Sequence, residues 1–146
     1  MTSPAALDPA YELTTERDRI DVARVHRLLL DHAYWAAGRS REQQEAIVAA
    51  SRNYGLLERG TGQQVGYARI VTDGVTFAWL ADVVVDPAHR SRGLGAALVD
   101  GILADLEPLG VKRVLLKASP EGAPLYVRTG FEALEDPEAW MVRRRH

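Results

Sequence analysis

The run Val83-Val84-Val85-Asp86-Pro87-Ala88-His89-Arg90-Ser91-Arg92-Gly93-Leu94-Gly95 constrains this chain more than any other segment. An apolar, β-rich stretch ends at a proline, passes through an arginine-flanked glycine loop and enters a segment with helical periodicity. The start of a helix leaves its first amides without internal partners. The helix dipole adds positive potential at the same place, so such a junction suits an anion. Glycine lets the backbone approach a diphosphate with no Cβ in the way, and Arg90 and Arg92 add charge beside it. Two common diphosphate loops do not fit. A P-loop requires Lys-Ser or Lys-Thr after its last glycine, and neither is present. The dinucleotide fingerprint requires a third glycine where this chain has Leu98. A bare Gly-x-Gly also has a simpler reading, a tight strand-to-helix turn that binds nothing.

The remaining composition removes several function classes. The chain has 146 residues, the size of one domain, and a net charge of -2, so it has no global basic field for nucleic acid. It has no cysteine, which excludes disulfides, thiolate metal sites and a cysteine nucleophile and fits a reducing cytoplasm. No apolar run approaches the ~20 residues of a membrane helix. Met1 to Pro9 lacks the pattern of a signal peptide and reads as a flexible lead-in to a single domain over 1–146. His26, His32, His89 and His146 show no metal-ligand spacing, so no metal is expected. The tail Arg143-Arg144-Arg145 reads as a solvated chain end.

Along the chain, Tyr11 to Thr14 predicts a short strand. Thr15-Glu16-Arg17-Asp18 is a capping-box pattern, and Asp18 with Asp21 offers a second start for a helix ending near His32. Ser40 and Gln43 predict another capping box, opening a helix to about Ala50. Residues 53–58 and 63–72 read as strands, Asp73-Gly74 as a hairpin turn, and Phe77 to Asp86 as a central strand. Gly93 to Glu107 predicts a helix with Leu94, Ala97, Leu98, Ile102 and Leu106 on one face. Val111 to Ala118 predicts a strand. Ser119-Pro120 predicts an N-cap and first helical residue of a helix reaching Thr129. Phe131 to Arg145 holds two short strand candidates around Pro137. This order predicts a mixed α+β sheet rather than a doubly wound one.

Two blocks carry a family resemblance. Val85-x-Pro87-x-x-Arg90-x-x-Gly93-x-Gly95 resembles the acetyl-CoA signature of the GNAT N-acetyltransferase superfamily. Ala123-Pro124-Leu125-Tyr126-Val127-Arg128-Thr129-Gly130-Phe131 is similar to the family's Ala-x-x-Leu-Tyr-x-x-x-Gly-Phe block, at the usual separation. The N-terminal half resembles a small bacterial subgroup of unassigned substrate through Tyr34-Trp35-x-x-Gly38-Arg39, Gly66-Tyr67-Ala68-Arg69-x-Val71-x-Asp73 and Leu80-Ala81-Asp82-Val83. The resemblance implies the GNAT acyl-CoA N-acyltransferase fold, a mixed sheet of about seven strands flanked by about four helices. It implies an acetyltransferase that passes an acetyl group from acetyl-CoA directly to a primary amine. A non-catalytic acyl-CoA-binding sensor is the alternative, and a phosphate-binding regulator without CoA is a third reading.

The resemblance also implies roles. The Val83, Val84 and Val85 backbone would pair with the pantetheine arm, beside a bulge that opens the sheet. Arg90, Ser91, Arg92, Gly93, Leu94, Gly95 and Ala96 would hold the pyrophosphate. Tyr126 is the candidate proton donor to the leaving thiolate, with packing as its alternative. Some relatives use a glutamate as base where this chain has Trp79. Asp82, three residues on, is then the candidate base, directly or through a water, and internal pairing with Arg69 is equally open. Tyr34, Trp35 and Trp79 are candidate walls of an acceptor pocket, with Trp35 and Trp79 equally open as core or interface anchors. Arg69 would grip a substrate carboxylate or bridge internally. Ser119 is a helix cap first and a cofactor contact second. Pro124 departs from the family pattern and is expected to kink the turn carrying Tyr126. The acceptor is a small-molecule or peptide amine, and exposed strand edges are compatible with a homodimer.

Overall fold

A computed structural model of the chain describes residues 6–145. The first five residues of the expected lead-in lie outside them. Leu7, within that lead-in, packs on the cluster of Tyr11, Leu56, Val65 and Leu94.

Five strands form one sheet in the order β1 to β5: β1 Tyr11–Thr14, β2 Arg52–Glu58, β3 Gln64–Thr72, β4 Ala78–Val85 and β5 Val114–Leu115. Neighbours from β1 to β4 are antiparallel, and β4 and β5 are parallel. The helices are α1 Val22–His32, α2 Arg41–Ala50, α3 Leu94–Leu106 and α4 Ala123–Arg128. On one sheet face Val25, Leu28 and Leu29 of α1 and Val48 of α2 pack with Tyr67 and Val84. On the other, Leu98, Ile102 and Leu106 of α3 pack with Tyr54, Ala68, Ile70, Ala78 and Leu80. The adjacent β3 residues Tyr67 and Ala68 thus serve opposite cores, as the two-residue period of a strand requires.

The starts of the helices follow local chemistry, with two displacements. At α2 the reciprocal Ser40–Gln43 capping box forms as expected. For α1 the capping residue is Asp21, whose carboxylate accepts from the Arg24 amide at 3.1 Å, and Arg17–Arg19 is a single 3-10 turn. The box at Thr15–Asp18 therefore opens no α-helix. α4 begins at Ala123 rather than after Ser119. Ser119 Oγ accepts from the Gly122 amide at 3.1 Å and so closes the preceding turn. Pro124 consequently sits in the first turn of α4, where its missing N–H costs no helical hydrogen bond, and no kink is needed.

The sheet has five strands rather than about seven. β5 is shorter than the predicted Val111 to Ala118, and among the described residues the segment after α4 forms only a 3-10 turn at Pro137–Ala139. The reason is pairing. Strand propensity becomes a strand only when a neighbour accepts its hydrogen bonds, and here Met141 and Val142 are 94% and 70% exposed.

Gly66 shows how closely the central strands approach. A Cβ added there would lie 3.1 Å from Leu56 Cβ and 3.1 Å from the Val84 carbonyl oxygen. Gly66→Ala is therefore expected to destabilise the fold by about 1–3 kcal/mol through overpacking, read as a lowered urea midpoint with an unchanged slope. An unchanged midpoint would show that the strands yield at no cost.

Candidate active site

The site begins with an irregularity in β4. Pairing with β3 runs Tyr67 with Val84 but Arg69 with Ala81, so Ala68 faces two residues, Asp82 and Val83. Asp82 takes a left-handed backbone, φ 56°. This is a β-bulge, and it inverts the alternation of the strand. Ala78 and Leu80 face the α3 core before it, whereas Val83 and Val85 face that core after it and Val84 turns to the α1 side. On its other side β4 pairs with β5 only at Ala78–Val114 and Trp79–Leu115. Beyond that point the two chains diverge around a cleft of about 290 Å³, with Ala81, Asp82 and Val83 on one wall and Leu116, Lys117 and Ala118 on the other.

The floor of this cleft is a buried ionic cluster. Asp82, 5% exposed, accepts from Arg69 Nε at 2.8 Å and Arg39 Nη1 at 2.9 Å on one oxygen, and from Trp35 Nε1 at 3.0 Å on the other. Gly38, at φ 81°, turns the link after α1 so that Arg39 reaches the sheet. Burial pushes the Asp82 carboxyl up, but the hydrogen bonds from Arg39 and Arg69 outweigh it and hold it below the usual carboxylate range. Both oxygens are engaged and basicity is reduced. The arrangement favours internal pairing with Arg69 over direct proton abstraction by Asp82. Tyr34, Trp35 and Trp79 line the cleft with 71%, 45% and 38% of their surface still exposed, so they are not core anchors.

A second cleft, of about 480 Å³, follows the glycine loop. Val83, Val84, Val85, Arg90, Ser91, Gly93, Leu94, Gly95, Ala96, Ser119 and Tyr126 all line it. Ser91 and Gly93 both have left-handed backbones, φ 67° and 69°, and no side chain caps the N-terminus of α3. The first-turn amides of α3 are left to an external acceptor. The two glycines act differently. Gly93 supplies the left-handed turn, while Gly95 lets α4 approach, since a Cβ there would meet Leu125 Cδ2 at 3.3 Å. Arg92 lies apart from the lining, its guanidinium 6.0 Å from the centre of the Tyr11 ring.

The two clefts share Trp35, Val83, Ser119 and Tyr126. Tyr126 stands in α4 with its ring edge against Phe131 at 5.8 Å, and burial raises its pKa above the ordinary phenolic value of 10.0. The phenol therefore carries its proton at neutral pH. The glycine-loop cleft thus opens onto an aromatic pocket at a protonated hydroxyl.

Residues 24–140 match the profile of the acetyltransferase (GNAT) domain. This chain belongs to the GNAT acetyltransferase family. A GNAT-family protein from Xanthomonas campestris pv. campestris is 32% identical, with a TM-score of 0.85 and 94% of both chains covered. The glucosamine 6-phosphate N-acetyltransferase of Trypanosoma brucei brucei is 31% identical over 121 residues, 75% of this chain and 82% of that protein. The chloroplastic serotonin N-acetyltransferase 2 of Oryza sativa subsp. japonica is 32% identical over 116 residues, 75% of this chain and 57% of that one. The chain spans 57%, 39% and 38% of the lengths of three plant relatives.

GNAT acetyltransferases use acetyl-CoA, and the loop cleft meets the needs of its diphosphate with uncapped amides, left-handed turns and Arg90. Four ionisable lining residues had no site role from sequence. Arg39 stood inside a quoted family block, and its pairing with Asp82 across the fold is the missing signal. His89 lines the loop cleft, with Nδ1 2.7 Å from the Tyr11 hydroxyl. Lys117 and Arg128 line the clefts from exposed positions that carry no sequence pattern. Among the described residues no group of His, Asp and Glu is arranged to hold a metal ion, and no helix is long and apolar enough to cross a membrane.

Proposed function

We propose that this chain transfers the acetyl group of acetyl-CoA to a primary amine by direct attack within a ternary complex. The observation that carries the reading is the meeting of the two clefts at Tyr126, Val83, Ser119 and Trp35. Acetyl-CoA supplies an acetyl thioester, and the protein's work is to hold it, admit the amine and manage protons. Amides from Ser91 to Ala96 at the α3 N-terminus seat the diphosphate, with Arg90 adding charge. The free backbone of Val83–Val85, where β5 has turned away, takes the pantetheine arm as an added strand. Ser119 and Tyr126 border the junction where the thioester would lie. Tyr34, Trp35, Trp79 and Arg69 bound the space the amine enters.

The proton tasks divide. Tyr126 donates to the leaving sulfur, a role supported by its raised pKa and its place in both clefts. Asp82 orients Arg39, Arg69 and Trp35 rather than accepting a proton. The amine accordingly enters neutral, and its own ionisation limits the rate. The coverage of relatives named for serotonin and for glucosamine 6-phosphate supports a small amine acceptor.

Tyr126→Phe tests the assignment. It is expected to lower kcat by about 10²–10⁴-fold, the usual contribution of a positioned acid, with the affinity for CoA changed less than threefold. The fall in kcat/KM of the wild type at high pH should disappear in the variant. An unchanged rate across pH would remove Tyr126 as the acid. Tight CoA binding with no turnover of any amine would favour the sensor reading, and a thermal shift with ATP but none with CoA would favour the phosphate-binding regulator.

A further inference from the structure

We infer that the acceptor is an amine that also carries an anionic group, a carboxylate or a phosphate, read by Arg39 and Arg69 at the floor of the 290 Å³ cleft. This rests on the acetyl-transfer reading, because it names the substrate class of the same pocket.

The argument is one of charge balance. The ionisable side chains lining the cleft, apart from Tyr34 and Tyr126, are Arg39, Arg69, Lys117 and Asp82. One carboxylate faces three cations. Asp82 neutralises one guanidinium and leaves the other uncompensated, with the Lys117 ammonium at the exposed mouth. The hydrogen-bond ledger agrees. Five bonds, to Asp82, Gln44 and Ser51, engage the two guanidiniums, which between them carry about ten N–H donors. Both side chains are mostly buried, at 15% and 17% exposure, so the surplus charge is weakly screened. A planar fork with spare donors suits a carboxylate or phosphate.

The same field selects against other amines. A polyamine or a lysine-rich peptide would bring positive charge to a lining that already carries it. The volume is at the low end for small-molecule sites. Trp35, Tyr34 and Trp79 line the same cleft and offer flat apolar surface to the body of the acceptor.

The test compares acceptors on one scaffold. An aromatic α-amino acid is set against its carboxamide and its decarboxylated amine, and O-phosphoethanolamine against ethanolamine, with spermidine as the cationic probe. CoA release gives kcat/KM, corrected for the fraction of neutral amine. Calorimetry with CoA present gives binding independently of turnover. At least one anionic acceptor is expected to exceed its uncharged partner by tenfold or more in both readouts, falling with added salt. Arg69→Gln should raise its KM at least tenfold and change the uncharged partner's KM less. Lys117→Glu, on an exposed side chain with no hydrogen bond or ion pair to the cluster, should raise it severalfold without a change in Tm.

Turnover of neutral or cationic amines with no preference for the anionic forms would overturn the inference and leave acetyl transfer intact. Binding of an anionic amine without turnover would sustain the inference and reject acetyl transfer. Failure of every anionic amine to bind in the presence of CoA would overturn it.

Discussion

Gly93→Val is expected to weaken CoA binding by about a hundredfold or more in a protein that remains folded. Gly93 has φ 69°, and an added Cβ there meets nothing within 4 Å. The obstacle to a side chain is therefore conformational, not a clash with the core. A left-handed backbone costs an L-residue about 1–2 kcal/mol, and a β-branched one resists it most. The loop relieves that strain by leaving the turn that lets the amides of Ser91 to Ala96 converge. Each charge-assisted hydrogen bond to the diphosphate contributes about 1.5–3 kcal/mol, so losing one or two accounts for the predicted fold-change. Gly93→Asn is the control, because asparagine tolerates the left-handed region, and it should keep most of the affinity. Calorimetric titration of CoA into both variants, each with its melting temperature, decides the matter. A folded Gly93→Val protein with wild-type affinity would show that the loop is a turn and nothing more.

Asp82→Asn should be the most destabilising substitution at the site, by about 3–5 kcal/mol, the scale for removing one partner of a buried ion pair. The amide keeps the shape but leaves Arg39 and Arg69 without a counter-charge while both remain largely buried. The pH dependence carries the same signature. The folded-state pKa of Asp82 is lowered, so its stabilisation is present above the unfolded value of about 3.9 and is lost as pH falls through the folded value. Wild-type stability should thus drop more steeply than the variant's below about pH 4. Kinetics separate this positioning role from catalysis. A positioning Asp82 predicts that the variant, held below its melting temperature, keeps the wild-type rise of rate with pH and shows mainly a raised KM for the amine. A rate that no longer rises with pH would make Asp82 the base after all.

How much of this was legible beforehand depends on the range of the forces involved. The capping box at Ser40–Gln43 and the apolar face of α3 formed where their local patterns put them. Such patterns need only a few neighbouring residues. The final strands show the opposite case. Residues around Trp140 to Val142 have strand-like composition, yet among the described residues no sheet edge meets them. The resemblance implied a bulge in this strand, but its place at Asp82 could not be read from the residues, because apart from Asp82 the run Phe77 to Val85 is apolar and gives alternation little to reverse against.

The sequence by itself determined the family, the glycine loop at the mouth of α3 and Tyr126 in its helix, because each is carried by a contiguous block. Only the tertiary structure decided what Asp82 pairs with. Its partners Trp35, Arg39 and Arg69 come from 47, 43 and 13 residues away. An ionic contact across such distances depends on a strand bulge and a left-handed glycine that bring the chains together.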